Sequence, residues 1–236
     1  MEWFLANSGM VMGLAGQHLV LALIPMVLGL VISIPLAQLA RTHPALRSVV
    51  VTASSLLYTV PSLALFIILP SILGTRILDP LNVIVALTIY AVALLVRAAL
   101  DAFDSVEEDL RQAAIAMGYK PWLRFVQIDL PLSLPVMFAG LRVVSVSNIS
   151  LVSVAALLGV GNLGMLFTDG LQRNFVTEVV VGIIAILVLA LLMDAVLVVL
   201  ERLLTPWTRA SGASAKTENE PGAGFMSEYQ VHAGAG

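Results

Sequence analysis

Apolar and polar positions in this chain separate into long blocks. Residues 19–40, 48–75, 81–96, 143–168 and 179–193 contain no Asp, Glu, Lys or Arg. A hydrocarbon layer roughly 30 Å thick requires about 17 to 25 apolar residues of a helix. The fifth block reaches that length if it continues past Asp194 to Leu200. The pattern predicts an all-α membrane protein with five transmembrane helices. Residues 1–17 read as an amphipathic lead-in, with Trp3 and Phe4 suited to a membrane interface. Residues 18–208 form the transmembrane region, and its most polar internal stretch is a loop at 101–131. Residues 209–236 are small, polar and aperiodic, which predicts a disordered tail, too short for a fused ligand-binding domain. Pro25, Pro35, Pro61 and Pro70 lie in the first two blocks and predict kinks, serving either ordinary bending or a pathway.

The 104–131 stretch has helical periodicity of its own. Ser105 with Glu108 three residues on predicts a capping box, and Val106, Leu110, Ala113, Ala114 and Met117 recur at helical spacing. Gly118 suits a left-handed end to that helix. Pro121 suits the first turn of a second helix, carrying Trp122, Phe125 and Val126 and ending at Asp129 or Leu130, ahead of Pro131. A DNA-reading helix-turn-helix would need a free basic helix, and Arg111, Lys120 and Arg124 lie among too many acids to supply one. A structural hairpin at the membrane surface and a docking element for a partner both fit.

Composition agrees with the blocks: 59% of the 236 residues are hydrophobic and 11% charged, against about a quarter charged in a soluble domain. Charge also gives an orientation, because Lys and Arg concentrate in cytoplasmic loops. Arg41, Arg47, Arg97, Arg111, Lys120, Arg124, Arg202, Arg209 and Lys216 fall on one side, and only Arg76 and Arg173 on the other. This predicts the N-terminus outside, the C-terminus inside, and the 101–131 loop in the cytoplasm. Met1-Glu2-Trp3-Phe4 lacks the positive start of a signal peptide, so the first apolar block is expected to stay as a span. The net charge of −3 with no basic stripe argues against nucleic acid as a partner.

Candidate chemistry is sparse. The absence of cysteine excludes disulfides and thiolate chemistry. His18, His43 and His232 are scattered without metal-ligand spacing and read as surface or interface residues. The string from Gly212 to Thr217 lacks the Gly before Lys of a phosphate-binding loop. The chain is therefore expected to be no enzyme and to bind no cofactor or metal itself.

One motif is specific. Gln112-Ala113-Ala114, three residues, Gly118, nine residues, then Ile128-Asp129-Leu130-Pro131 resembles the Glu-Ala-Ala loop of permease subunits from binding-protein-dependent ABC importers. Gln112 replaces the usual Glu and loses its charge, and with it any salt bridge made there. The resemblance implies that Gln112, Ala113, Ala114, Gly118, Ile128, Leu130 and Pro131 couple this chain to a cytoplasmic ATPase. Residues 59–65 (Thr-Val-Pro-Ser-Leu-Ala-Leu) and 155–164 (Ala-Ala-Leu-Leu-Gly-Val-Gly-Asn-Leu-Gly) are similar to the osmoprotectant permeases that import glycine betaine, carnitine or choline. Asn162 stands where that family commonly has Gly, and its tolerance of positive φ would preserve the turn. Gly159, Gly161 and Gly164 fit either a tight re-entry turn or a contact with a docked binding protein.

What the resemblance implies is a multi-pass cell-membrane permease. Its partners would be ABC ATPase subunits carrying ATP and Mg, a second permease subunit, identical or paralogous, and an extracytoplasmic substrate-binding protein. A permease for another small solute, or a secondary transporter working without ATP, is the alternative. The latter usually shows repeats and midplane coupling charges, neither of which is evident. Tyr58, Pro61, Ser62, Asn148 and Ser150 are candidates for the translocation path, though polar residues in span four serve equally for helix–helix hydrogen bonds. Few aromatic residues lie in the spans, so tight capture of a quaternary ammonium group is expected elsewhere. Finally, Arg142 and Asp194 lie at similar depth, roughly 15 Å and roughly 12 Å from the inner ends of spans four and five. Buried charges pair, which predicts an Arg142–Asp194 contact, with Arg97 as the other possible partner for Asp194. Such a contact would serve as a structural clamp or as a latch that changes partners during transport.

Overall fold

The first apolar block and the lead-in before it form one helix. In the computed structural model, which describes residues 2–207, α1 runs from Glu2 to Thr42. The lead-in is thus no separate element: residues 2–17 contain one acid and no proline, and nothing stops the helix before the apolar block begins. Pro25 and Pro35 are accommodated inside it.

The second block divides. α2 (Pro44–Thr59) and α3 (Ser62–Leu73) meet at 101°, so the kink expected of this block is sharp enough to break it. Pro61 brings no N–H and forces the residue before it out of the helical region, so Val60 is extended at φ −65°, ψ 129°. The carbonyl this frees is not left bare: the Tyr90 hydroxyl, from another helix, donates to Val60 O at 2.5 Å.

α4 (Pro80–Asp104) begins with the Asp79 side chain accepting from Leu81 N and Pro80 in the first turn. α5 (Glu108–Ala116) follows as a short polar helix. α6 (Pro121–Arg124) passes through a π turn, Phe125–Asp129, directly into α7 (Leu130–Val154). The expected end at Asp129 or Leu130 therefore does not occur. The wider π turn absorbs the missing N–H and the ring of Pro131, which would otherwise clash with the preceding turn. A 3₁₀ turn (Ala155–Leu158), α8 (Met165–Gln172) and α9 (Val176–Leu204) complete the described residues. Four helical segments are long and apolar enough to cross a membrane, or five if the bent α2–α3 pair is one span. The tail at 209–236, with His232, Arg209 and Lys216, lies outside the described residues.

α1, α4 and α7 pack as the centre of the bundle. Small residues let them close: a Cβ on Gly29 would lie 2.6 Å from Ala91 Cβ, and one on Gly140 2.4 Å from Ala98 Cβ. α9 is attached more loosely, with only Glu178, Gly182 and Leu197 buried. At the end of the bundle opposite α5, the 159–164 turn is held by its own groups. Gly159 has φ +82°. Asn162 does not take positive φ; it is buried, and its side chain accepts from Gly164 N at 2.7 Å and donates to Val160 O at 2.8 Å. Its amide, rather than backbone tolerance, makes Asn fit. A Cβ on Gly161 would lie 2.2 Å from Gln17 Oε1, which locks this turn onto α1.

Candidate functional site

The loop end of the bundle is where α1 and α4 finish and α7 begins. Ser105 terminates α4 and its hydroxyl donates to Ala102 O at 2.7 Å, so it does not open α5. The capping box is absent because that hydroxyl is spent on the helix behind it; Glu107 precedes the first helical residue of α5 without a side-chain cap. Glu108 instead accepts from Gln112 Nε2 at 2.8 Å and from Arg111 at 3.2 Å, and these bonds, the first foremost, hold its carboxyl below the usual range.

α5 ends in a Schellman turn. Gly118 N donates to Ile115 O at 2.9 Å and Tyr119 N to Ala114 O at 3.1 Å, with Gly118 at φ +82°. Ala114 is fully buried, while Gln112 and Ala113 face outward. On both sides of this corner the loop displays apolar side chains: Leu110, Ile115, Met117, Trp122 and Leu123 are all exposed, Trp122 by 74%. An amphipathic helix pair with its apolar side uncovered is a docking surface in form.

Asp129, within the motif, pins this loop down. Its carboxylate is 1% exposed and lies among three guanidiniums. Arg111 of α5 donates to Oδ1 at 2.8 Å, while Arg41 of α1 and Arg124 of α6 stand 3.6 and 3.7 Å from Oδ2. Arg111 also donates to the Phe103 carbonyl of α4, and the Arg41 guanidinium stacks 5.8 Å from the Phe103 ring centre. One buried carboxylate thereby joins α1, α5, α6 and the start of α7, with α4 drawn in through Phe103. Sequence reasoning quoted Asp129 without seeing this role. The legible signal was an acid placed between apolar Ile128 and Leu130, in a loop that also carries Arg111, Lys120 and Arg124. Ile128, Leu130 and Pro131 are half-buried around it.

The candidate path residues do not form one group. Tyr58, Pro61 and Ser62 sit at the α2–α3 elbow, with Tyr58 exposed and its ring 6.0 Å from that of Tyr90 in an edge-on contact. Asn148 is elsewhere: it is 1% exposed and donates to Ala22 O of α1 at 3.3 Å, a helix–helix bond that lines no open surface. Ser150 is exposed two residues on. His18 is no surface residue either; it is fully buried and its Nε2 donates to Ile149 O at 2.9 Å, fixing α1 to α7.

Arg142 and Asp194 do meet. The guanidinium grips the carboxylate with both prongs, Nε to Oδ1 at 2.6 Å and NH2 to Oδ2 at 2.8 Å. Arg97 is not involved and donates to Ser55 Oγ at 3.1 Å.

Comparison with known proteins fits this arrangement. The osmoprotectant import permease protein OsmW of Salmonella typhimurium is 34% identical over 208 residues, covering 87% of this chain and 96% of that one. The glycine betaine/carnitine/choline transport system permease protein OpuCB of Bacillus subtilis is 28% identical over 206 residues, covering 87% and 94%. Among solved structures, the inward-facing MetNI methionine ABC transporter matches with a TM-score of 0.71 at 19% identity, over 83% of this chain and 96% of that one, which shows a shared fold. A family model spans residues 20–209, and the chain belongs to the family it describes, the inner membrane components of binding-protein-dependent transport systems.

Proposed function

We propose that this chain is the transmembrane permease subunit of an ATP-driven importer for osmoprotectants such as glycine betaine, carnitine or choline. The observation that carries the coupling role is the continuous helix from Pro121 through the π turn into α7. A displacement of the exposed loop has a rigid route into the bundle, and the Asp129 cluster obliges α1 and α5 to follow. The substrate class rests on OsmW and OpuCB, which match along nearly their whole length.

In this reading the chain makes five spans, with the N-terminus outside, the C-terminus inside and α5–α6 in the cytoplasm against a separate ATPase that carries ATP and Mg. Gln112, Ala113, Ala114, Gly118, Ile128, Leu130 and Pro131 form or support the docking loop. Tyr58, Pro61 and Ser62 lie on the path at the α2–α3 elbow, with Ser150 as a further polar position. A second permease subunit completes the path, and an extracytoplasmic binding protein delivers solute to the 159–164 end.

The test is import into proteoliposomes by the complex of this chain with its ATPase and binding protein. ATP-dependent accumulation of glycine betaine, carnitine or choline is expected. Gly118→Val should reduce it by at least about 100-fold while the variant still reaches the membrane, because a β-branched residue cannot hold φ near +82°. Wild-type complex that accumulates none of the three solutes sinks the substrate reading, and normal import by the Gly118 variant sinks the coupling reading.

A further inference from the structure

The Arg142–Asp194 pair lies near the middle of two spans, yet neither side chain is enclosed. Arg142 is twelve residues into α7, about 18 Å along it, and Asp194 is ten residues before the end of α9, about 15 Å. Their side chains remain 40% and 29% exposed. They open onto a groove of about 500 Å³ between α7 and α9, completed by Ala139, Val143, Val146 and Ser147. Those α7 positions recur at helical spacing, so the groove follows one face of the helix.

Hydrocarbon cannot fill this groove. A guanidinium has five N–H donors, and two are spent on Asp194. The remainder face a place where lipid tails would offer no acceptor, and charges at this depth face water-filled cavities or protein. The small side chains of Ala139 and Ser147 leave the pair accessible. We propose that the α7–α9 groove is water-filled and forms a weak site on the transport path for a small zwitterion. Arg142 receives the solute's carboxylate and Asp194 its cationic end, each exchanging part of its bond to the other for a bond to the solute. This deepens the importer reading and rests on it only for the identity of the solute; the accessibility of the groove does not depend on it.

The natural chain contains no cysteine, so Ser147→Cys introduces a single thiol beside the pair. In proteoliposomes holding the full complex, a membrane-impermeant cationic methanethiosulfonate should modify that thiol at least about tenfold faster than Leu192→Cys, which is exposed on α9 roughly 160° around from Asp194. Excess glycine betaine delivered by the binding protein should slow the modification. The neutral pair Arg142→Gln/Asp194→Asn should keep Ser147→Cys reactive but lower import of the zwitterion by at least about tenfold. Equal slow labelling at both positions would overturn the proposal. Fast labelling with import unchanged in the neutral pair would overturn the zwitterion site. If the neutral pair fails to insert, Ser147→Trp serves instead: it fills the groove without removing charge, and unchanged import by that variant counts against the site. A complex that labels as expected but imports nothing refutes the importer reading and leaves the water-filled groove standing.

Discussion

Two groups of charges tie this bundle together, and they are built differently. At the loop end, Asp129 is enclosed, 1% exposed, and shared among three arginines on separate elements. At mid-depth, Arg142 and Asp194 form a two-pronged pair with one partner each and stand half in the open. A buried carboxylate among several cations has no substitute: remove it and three guanidiniums are left with repulsion and too few acceptors. An accessible pair can trade partners, because water or a solute can take over either side. The first arrangement suits a joint that must not yield, the second a contact that opens and closes.

This contrast predicts a ranking of effects. Asp129→Ala should be the most damaging change, costing about 3–5 kcal/mol by leaving buried charge uncompensated, read as loss of folded protein in detergent unfolding. A variant as stable as the parent would show that the cluster is not a joint. Next come the single changes Arg142→Gln and Asp194→Asn, which should lower the yield of folded protein by less than about tenfold, since the survivor still reaches the groove. The charge-swapped double variant Arg142→Asp/Asp194→Arg should recover that yield. If it folds yet imports poorly, the pair acts as a latch; if import recovers too, it acts as a clamp. The smallest effect belongs to Arg97→Gln, which loses only an exposed bond to Ser55 and should change stability by less than about 0.5 kcal/mol. A large loss there would mean that Arg97 serves Asp194 in another state of the permease.

The apolar blocks, the loop motif and the meeting of Arg142 with Asp194 were legible because each follows from a local or one-dimensional rule. Hydrocarbon thickness sets block length, φ +82° demands glycine at 118, and two charges at equal depth on neighbouring spans have few other partners. Features decided by distant groups were not legible. A proline in a charge-free block permits either a kink or a break; the right-angled elbow needs the Tyr90 hydroxyl, from another helix, to cover the Val60 carbonyl. Ser105 satisfied the letter pattern of a cap, but α4 extended far enough to claim its hydroxyl. Asn162 was read through its backbone when its side-chain amide mattered. The Asp129 cluster gathers arginines from α1, α5 and α6, and no window along the chain contains all of them.

The π turn at Phe125–Asp129 also makes the loop sensitive to chain length. It holds one residue more than an α-helical turn, so deleting the exposed Val126 or Gln127 would return the helix to ordinary α geometry and bring the Pro131 ring against the preceding turn, at a cost of about 3 kcal/mol. Because the lost residue is the extra one of the turn, the segment before it would keep nearly its rotation relative to α7. Trp122 and Leu123 would keep their direction around the helix, and a kink at Pro131 would tilt α5 and α6 together. A one-residue deletion here would therefore be felt as strain at Pro131 and not as a rotated loop, and Pro131→Ala in the same chain would relieve it.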